Sequence, residues 1–233
     1  MVYQGSKTKY AKEIVPILQK YIDDNGITVF IDGMCGGCNI IDKIKCETRN
    51  AIDINEYLIA LYEYAVIWGD GQYPETITRE MWDSCKNHPE DNHKWLVGLV
   101  EFFASYSARG FVGGYALNGT RDYYTERLNN FKKQIPNLQG INFCCSDINN
   151  VYSTDALFYL DPPYKNTKKY GVSKNFDYDK FWNKVRDLSK DNIVIVSEQE
   201  APDDFEIIWE KDVKRNCFGS GTKSAKERLF KLK

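Results

Sequence analysis

The sequence contains no apolar stretch that approaches the roughly 20 residues a membrane-spanning helix needs. Its N-terminus also lacks the apolar core of a signal peptide. These absences predict a cytoplasmic protein without a membrane partner. There is no internal repeat and no low-complexity segment, and the composition is close to ordinary globular usage, so disordered and fibrous classes are set aside.

The seven cysteines form no disulfide framework, since their number is odd and they are scattered through hydrophobic or glycine-rich contexts. Cys35 and Cys38 make a C-x-x-C pair. No second pair and no paired His follows at the spacing of a four-ligand zinc site. We therefore expect a reducing compartment and no metal.

The sequence also lacks an excess of basic charge, because 31 Lys and Arg stand against 33 Asp and Glu, a formal net charge of −2. This argues against a generally basic nucleic-acid binder. A local patch would still supply the phosphate contacts on which DNA affinity depends. The basic runs at 165–186 and after Lys211 are candidates, although an isolated charge run is more often a solvated surface.

The spacing of the apolar residues predicts an α/β fold. Short β-rich runs alternate with helical patterns towards both ends of the chain, which indicates a βαβ sheet rather than a sandwich. With 233 residues, the chain is long enough for one such core with a modest inserted lobe. The predicted strands are residues 28–32, 49–53, 141–145, 157–160, 192–197, 205–209 and 228–232.

The interval between Asp53 and Ile141 holds no convincing strand. Apolar residues recur there at helical spacing over 58–67, 95–106 and 123–135, the last run ending before Pro136. We therefore predict a helical lobe at 69–140, inserted into a sheet domain made of residues 1–68 and 141–233. A first helix is expected after Ser6 as its cap, with Pro16 kinking or interrupting it.

Residues 161–164, Asp-Pro-Pro-Tyr, directly follow the apolar run at 157–160. The amino group of a nucleobase is a poor nucleophile because its lone pair is delocalised, so a catalyst needs acceptors aimed at its N–H bonds. Asp161 and the Pro162 carbonyl are such acceptors, Pro163 stiffens the turn, and Tyr164 is placed to stack on the base. The alternative is a plain β-turn, since Asp-Pro often begins turns.

Three further features follow predicted strands. A glycine-rich turn runs from Asp32 to Gly37, but it is not G-x-G-x-x-G and no Walker lysine follows. Asp53 suits ribose hydroxyls and Asp147 the amino group of an adenine. Asp53 alone is more often a cap or turn former, and for Asp147 that alternative is equally good. In a parallel sheet, however, all of these features and Asp161 converge on one edge.

In this order the motifs resemble the DNA adenine methylase (Dam-type) family of S-adenosylmethionine-dependent methyltransferases, specifically its short phage-type members. The resembling segments are residues 3–7 (the N-terminal motif), 30–39 (the glycine motif), 53–55 (the ribose motif), 161–164 (the catalytic tetrapeptide), 195–198 and 227–230. The sequence departs from the family at Gly33-Met34, where members usually have Pro-Phe, and at Cys38, where they have a third glycine.

The resemblance implies a Rossmann-like methyltransferase sheet, mostly parallel, with about seven strands of which one is antiparallel. It implies transfer of a methyl group from S-adenosylmethionine to N6 of an adenine flipped out of duplex DNA, without a metal. We expect a monomer or weak dimer in the cytoplasm of a bacterial or phage-infected cell, with a role in restriction-modification or phage biology.

The resemblance also implies roles for individual residues. The catalytic group is Asp161, Pro162, Pro163 and Tyr164. The cofactor-binding group is Tyr3, Lys7, Asp32, Gly36, Gly37, Asp53, Ile54, Asp147, Ile148 and Asp161. Side chains that read bases or hold phosphates are expected to contact DNA; these are Arg109, Asn118, Thr120, Arg121, Lys165, Lys168 and Lys169.

Other functions stay open. A similar tetrapeptide serves cytosine N4 or adenine in RNA, although relatives acting on cytosine more often begin it with Ser. A catalytically silent DNA- or cofactor-binding phage protein is a second alternative, against which the intact Asp161 and Tyr164 argue. A nicotinamide dehydrogenase is disfavoured because its glycine fingerprint is absent.

Overall fold

The computed structural model describes residues 1–3, 5–69, 71–117, 119, 121–165, 176–217 and 221–233, with the backbone alone at 214–217 and 221–224. Seven strands lie within this part of the chain. They are β1 (Val29–Asp32), β2 (Thr48–Asp53), β3 (Ile141–Cys145), β4 (Ala156–Leu160), β5 (Ile193–Glu198), β6 (Phe205–Cys217) and β7 (Gly221–Leu232).

The strands form one sheet in the order β3-β2-β1-β4-β5-β7-β6. Strands β1 to β5 pair in parallel, whereas β7 runs antiparallel to both β5 and β6. The predicted Rossmann-like methyltransferase sheet, mostly parallel with one antiparallel strand, is thus confirmed. The parallel arrangement brings the carboxyl ends of β1, β2, β3, β4 and β5 to one edge.

The first five strands begin and end within one residue of their predicted bounds. The predictions for β6 and β7 were too short, because these strands continue as a long hairpin. Glu210 on β6 pairs across the hairpin with Lys226 and Arg228 on β7. Backbone hydrogen bonds and charged cross-strand pairs stabilise this extension. Its sequence therefore does not need the apolar alternation from which the other strands were predicted.

Six helices lie in the described part of the chain. They are α1 (Ala11–Asn25), α2 (Glu56–Trp68), α3 (Arg79–Asn87), α4 (Lys94–Phe103), α5 (Tyr123–Leu138) and α6 (Tyr178–Leu188). The sequence patterns had not predicted α3. None of the described helices combines the length and apolar character required to cross a bilayer.

Neither Pro16 nor Pro136 interrupts its helix, so the interruption expected at Pro16 and the helix end expected before Pro136 were wrong. Helix α1 continues through Pro16, because its fully buried stripe of Ile14 and Leu18 outweighs the one backbone hydrogen bond that proline removes. Helix α5 includes Pro136 in its last turn, where burial of Leu138 holds the chain in place. Ser6 caps a short 3-10 turn at Lys7–Lys9 rather than α1 itself.

The two faces of the sheet have separate apolar cores. On one face Phe158 and Leu160 of β4 pack with Phe181 and Trp182 of α6. On the other face, Phe30 and Leu157 share one cluster with α1, α2, α3, α4 and α5. The helices of the predicted lobe therefore share a continuous core with the sheet, and the boundary at 69–140 stays a prediction.

Candidate active site

A cavity of about 1560 Å³ opens at the edge where the parallel strands end. Open α/β sheets bind nucleotides in this crevice, outside the carboxyl ends of the strands. Ordinary small-molecule pockets occupy about 300–1,000 Å³. The cavity is therefore large enough for two ligands side by side.

Every residue predicted to act in catalysis or cofactor binding lines this cavity. These residues are Tyr3, Lys7, Asp32, Gly36, Gly37, Asp53, Ile54, Asp147, Ile148, Asp161, Pro162, Pro163 and Tyr164. Segments far apart in the sequence meet here because β1, β2, β3 and β4 all end at this edge. Their location is thus established, while their roles stay predictions.

Asp161 comes directly after β4 and is reached by the buried side chain of Lys7. The Lys7 Nζ lies 2.6 Å from Asp161 Oδ1 and 3.3 Å from Glu227 Oε1. Burial acts to lower the pKa of Lys7, but the charge of Asp161, with help from Tyr159 and Glu227, outweighs it and raises that pKa. Lys7 therefore keeps its positive charge.

Tyr164 is held at both its hydroxyl and its ring. The hydroxyl donates to Glu227 Oε1 and lies 3.1 Å from Ser197 Oγ. The Lys7 ammonium lies over the ring, 4.5 Å from its centroid. Burial raises the pKa of Tyr164, so the hydroxyl stays protonated and able to donate.

The proline turn has an anchor of its own in helix α6. The Tyr178 hydroxyl donates to the Pro163 carbonyl over 2.6 Å. The restricted φ of the two prolines stiffens the same segment. Asp161 and Tyr164 therefore project from a turn that is fixed both covalently and by hydrogen bonding.

The glycine-rich turn is fastened to the end of β2. Asp53 accepts the N–H of Gly36 on Oδ2 and that of Asn55 on Oδ1, both over 3.0 Å. Gly36 has a φ of +43°, and a Cβ there would lie 2.9 Å from Cε1 of Tyr3. Gly36 is thus required both by its backbone conformation and by the close approach of the tyrosine ring.

The two carboxylates proposed to hold a nucleoside also have local structural roles. Asp147 Oδ1 accepts the backbone N–H of Asn149 over 2.8 Å, which caps a short 3-10 turn. The N-cap of α2 is Asn55 rather than Asp53, because Asn55 Oδ1 accepts hydrogen bonds from two backbone N–H groups of the first turn. Asp147 therefore acts as a turn former and also lines the cavity.

Asp32, the last residue of β1, has a deeply buried carboxylate. Its Oδ1 has no hydrogen-bond partner within the described ranges, although the residue is only 2% exposed. Burial raises the pKa of Asp32, and the nearby charge of Asp161 adds to this effect. A buried acceptor of this kind is costly unless a ligand supplies the missing donor or positive charge.

Cys38 accounts for one of the departures from the family motif. Its φ of +53° lies in the left-handed region, which glycine adopts at little cost. Cys38 therefore adopts a backbone conformation that glycine would adopt at lower cost. Cys35 and Cys38 are both buried and free, and neither belongs to a metal-ligating group among the described residues.

Sequence reasoning missed several residues of this site. Glu227 and Ser197 are 2% and 0% exposed, and both lie in segments that the family resemblance had marked without assigning roles. Glu101 of α4 lines the cavity, and burial raises its pKa to about 7. The detectable signal for Glu101 was a single acidic residue within the otherwise apolar stretch 95–104.

The predicted DNA contacts lie in different surroundings. Arg109 is exposed and lines the cavity rim. Arg121 is exposed and makes a two-pronged ion pair with Glu126. Lys165 is exposed, and its backbone N–H donates to Glu198. Asn118, Thr120, Lys168 and Lys169 lie outside the described residues.

Comparison with known proteins adds one family match. Residues 3–94, which are 92 of the 233 residues, match the model of the D12 class N6 adenine-specific DNA methyltransferases. No curated protein matches the chain. The matched segment contains the N-terminal motif, the glycine-rich turn and Asp53.

The solved structures that resemble this chain include three of low sequence identity. A proposed RNA methyltransferase of Pyrococcus horikoshii has 10% identity and a TM-score of 0.41, over 96% of this chain and 83% of that one. Protein 1320 of Thermoplasma acidophilum has 11% identity and a TM-score of 0.39, over 94% and 88%. An rRNA methylase of Streptococcus thermophilus has 8% identity and a TM-score of 0.35, over 94% and 97%. At these values the substrates of those proteins give no indication of the substrate of this chain.

The strand order and the family match together indicate a methyltransferase, a class that uses S-adenosylmethionine. The cavity fits this cofactor, which is a positively charged nucleoside. Gly36 lets the Tyr3 ring pack closely against the glycine-rich turn that lines the cavity, and Asp32 Oδ1 is a buried acceptor without a partner in the described part of the chain. Asp53 and Asp147 add acceptors at the ends of the neighbouring strands.

Proposed function

We propose that this protein transfers a methyl group from S-adenosylmethionine to N6 of an adenine in duplex DNA. The observation that carries the proposal is the shared cavity. Asp161 and Tyr164, which suit an aromatic amine, line this cavity. Gly36 and Asp53, which suit a nucleoside, line it as well. The match of residues 3–94 to adenine-specific methyltransferases supports the choice of base.

The cofactor, when bound, supplies a methyl group already activated on a sulfonium, so the protein mainly contributes position and electrostatics. Asp53 is suited to the ribose hydroxyls, and Asp147 with Ile148 to the amino group and face of the adenine. Asp32 and the glycine turn complete this half of the cavity. Tyr3 packs against Gly36 of this half, and Lys7 contacts Asp161 at the proline turn.

The other half of the cavity is proposed to receive the target adenine. A base inside a duplex is inaccessible to such a pocket, so the adenine must be flipped out of the stack. Asp161 and the Pro162 carbonyl would accept hydrogen bonds from the N6 amino group and direct its lone pair towards the methyl group. The amino group would then share Asp161 with Lys7, which binds the same carboxylate.

The inserted helices are proposed to face the DNA. Arg109, exposed at the cavity rim, is the best placed of the described candidates to reach a base or phosphate next to the flipped nucleotide. Arg121 would first have to exchange its ion pair with Glu126. Because phosphate contacts are screened by salt, affinity should be compared at a stated ionic strength.

A methyl-transfer assay with nucleoside analysis tests this proposal. Labelled S-adenosylmethionine would be incubated with unmethylated duplex DNA and, separately, with RNA. N6-methyladenine formed in DNA supports the proposed function. N4-methylcytosine, or methylation confined to RNA, would replace the proposed substrate, and cofactor binding without any transfer would indicate a catalytically silent binder.

A further inference from the structure

A buried polar cluster lies directly behind the proline turn. Its members are Lys7, Asp161, Tyr164, Ser197 and Glu227, which come from the N-terminal segment, the end of β4, β5 and β7. Lys7 and Tyr164 are each 7% exposed, and Glu227 is 2% exposed. Buried polar groups are tolerated when they satisfy one another, as these do.

Glu227 joins the two halves of this cluster. Its Oε1 accepts the Tyr164 hydroxyl and lies 3.3 Å from the Lys7 ammonium. Ser197 Oγ lies 3.4 Å from the same oxygen. One carboxylate oxygen therefore fixes both the aromatic ring and the ammonium that contacts Asp161.

The charges in the cluster show why a second carboxylate matters. Lys7 contributes one positive charge and is shared between Asp161 and Glu227. Without the charge of Glu227, Lys7 would pair with Asp161 alone and would compete more strongly with an incoming amino group for its oxygens. The hydroxyl of Tyr164 would also lose its ionised acceptor, and such bonds are roughly twice as strong as neutral ones.

We propose that Glu227 is a positioning residue of the active site. It orients the Tyr164 ring through its hydroxyl and draws Lys7 partly away from Asp161, so that the carboxylate can accept the amino group of the substrate. This inference rests on the proposed function, because it assigns Tyr164 and Asp161 to the target base. Glu227 acts only through these residues and through Lys7.

Glu227→Gln tests the inference while keeping the shape of the side chain. Glu210→Gln is a matched control, since Glu210 also pairs with β7, through Lys226 and Arg228, but at the solvent-exposed part of the hairpin. Loss of a residue that orients a metal-ligating side chain typically costs 10- to 100-fold in activity, and we take the same order for a residue that orients Tyr164 and Lys7. We expect kcat of the Glu227→Gln variant to fall by about that factor, with little change in KM or in cofactor affinity. The Glu210→Gln variant should match the wild type.

A double-variant cycle separates positioning from general destabilisation. Tyr164→Phe removes the hydroxyl that Glu227 accepts, so Glu227→Gln should cost less in that background than in the wild type. The inference would be overturned if the losses in kcat of the two variants were fully additive. It would also be overturned if Glu227→Gln lowered only the thermal stability and kept the wild-type kcat.

Binding without turnover distinguishes this inference from the proposed function. A duplex with 2-aminopurine at the target position reports how the flipped base is stacked. If the wild-type protein neither alters this fluorescence nor methylates DNA, the proposed function itself is contradicted. If the wild-type protein alters the fluorescence and methylates DNA, and the Glu227→Gln variant does both equally well, only the role of Glu227 is contradicted.

Discussion

Lys7 and Asp161 are 154 positions apart in the sequence, and their side chains meet over 2.6 Å at the edge of the sheet. The contact joins the N-terminal motif to the catalytic tetrapeptide. It also places a positive charge next to the carboxylate proposed to accept the target amine. The sequence placed Asp161 at this edge but predicted no position for Lys7, so the contact between the two motifs comes from the structure.

Lys7→Met should destabilise the protein strongly. It removes the cation shared by the buried Glu227 and the partly exposed Asp161, and breaking a buried ion pair typically costs about 3–5 kcal/mol. Lys20→Met is the control, because Lys20 forms a solvent-exposed ion pair with Asp24, and such pairs contribute about 0–1 kcal/mol. Urea unfolding of both variants measures the difference, and equal losses of stability would argue against the buried pair.

Gly36→Ala should weaken cofactor binding. A Cβ at this position would approach the Tyr3 ring to 2.9 Å and disturb the turn that Asp53 holds. Gly26→Ala is matched in backbone conformation, with a φ of +62°, but its Cβ meets nothing within 4 Å. Calorimetric titration with S-adenosylhomocysteine should show a loss of affinity for Gly36→Ala alone.

Tyr178→Phe should loosen the proline turn with little effect on the fold. It removes the hydroxyl that donates to the Pro163 carbonyl, and one such hydrogen bond contributes about 0.5–1.5 kcal/mol. We expect a lower kcat with unchanged cofactor affinity, because the turn lies on the substrate side of the cavity. Tyr152→Phe, at an exposed tyrosine that does not line the cavity, is the comparison.

The stability of the protein should fall as pH rises from about 4.5 to about 7. Burial raises the pKa of Glu101 and of Glu198 from 4.5 to about 7. In that window the folded state binds protons that the unfolded state has already released, so each pH step towards 7 favours unfolding.

Glu101→Gln and Glu198→Gln should each flatten this pH dependence. The measurement is the urea midpoint at several pH values across the window. Glu63→Gln, at an exposed glutamate, is the control. If stability fell with rising pH as steeply in the variants as in the wild type, the burial of these carboxyl groups would not be the cause.

The sheet was predictable because its strands carry strong local signals. Buried runs such as 157–160 are apolar and β-rich, and each ends in a polar or glycine-rich segment. The extended hairpin of β6 and β7 carries no such signal, because charged cross-strand pairs replace the apolar alternation. The uninterrupted course of α1 through Pro16 was also hidden, since tertiary burial overrides a local helix breaker.

Some residues of the candidate active site were predictable from the sequence and others were not. Residues at strand ends, such as Asp53 and Asp161, were predictable because parallel strands converge on one edge. Glu227 and Ser197 were not predicted as site residues, because their contacts depend on the antiparallel register of β7 beside β5. Their partners lie 30 or more positions away in sequence.

The most direct test of the account is methyl transfer by Asp161→Asn compared with the wild type. Asparagine keeps the shape of the side chain but removes the charged acceptor, and Asp203→Asn is an exposed control. Loss of a group that stabilises the transition state electrostatically typically costs 10²- to 10³-fold. We expect wild-type protein to form N6-methyladenine in duplex DNA and Asp161→Asn to lose about that factor while still binding S-adenosylhomocysteine. Near-normal transfer by the variant would contradict the assignment of Asp161 as the acceptor of the target amine.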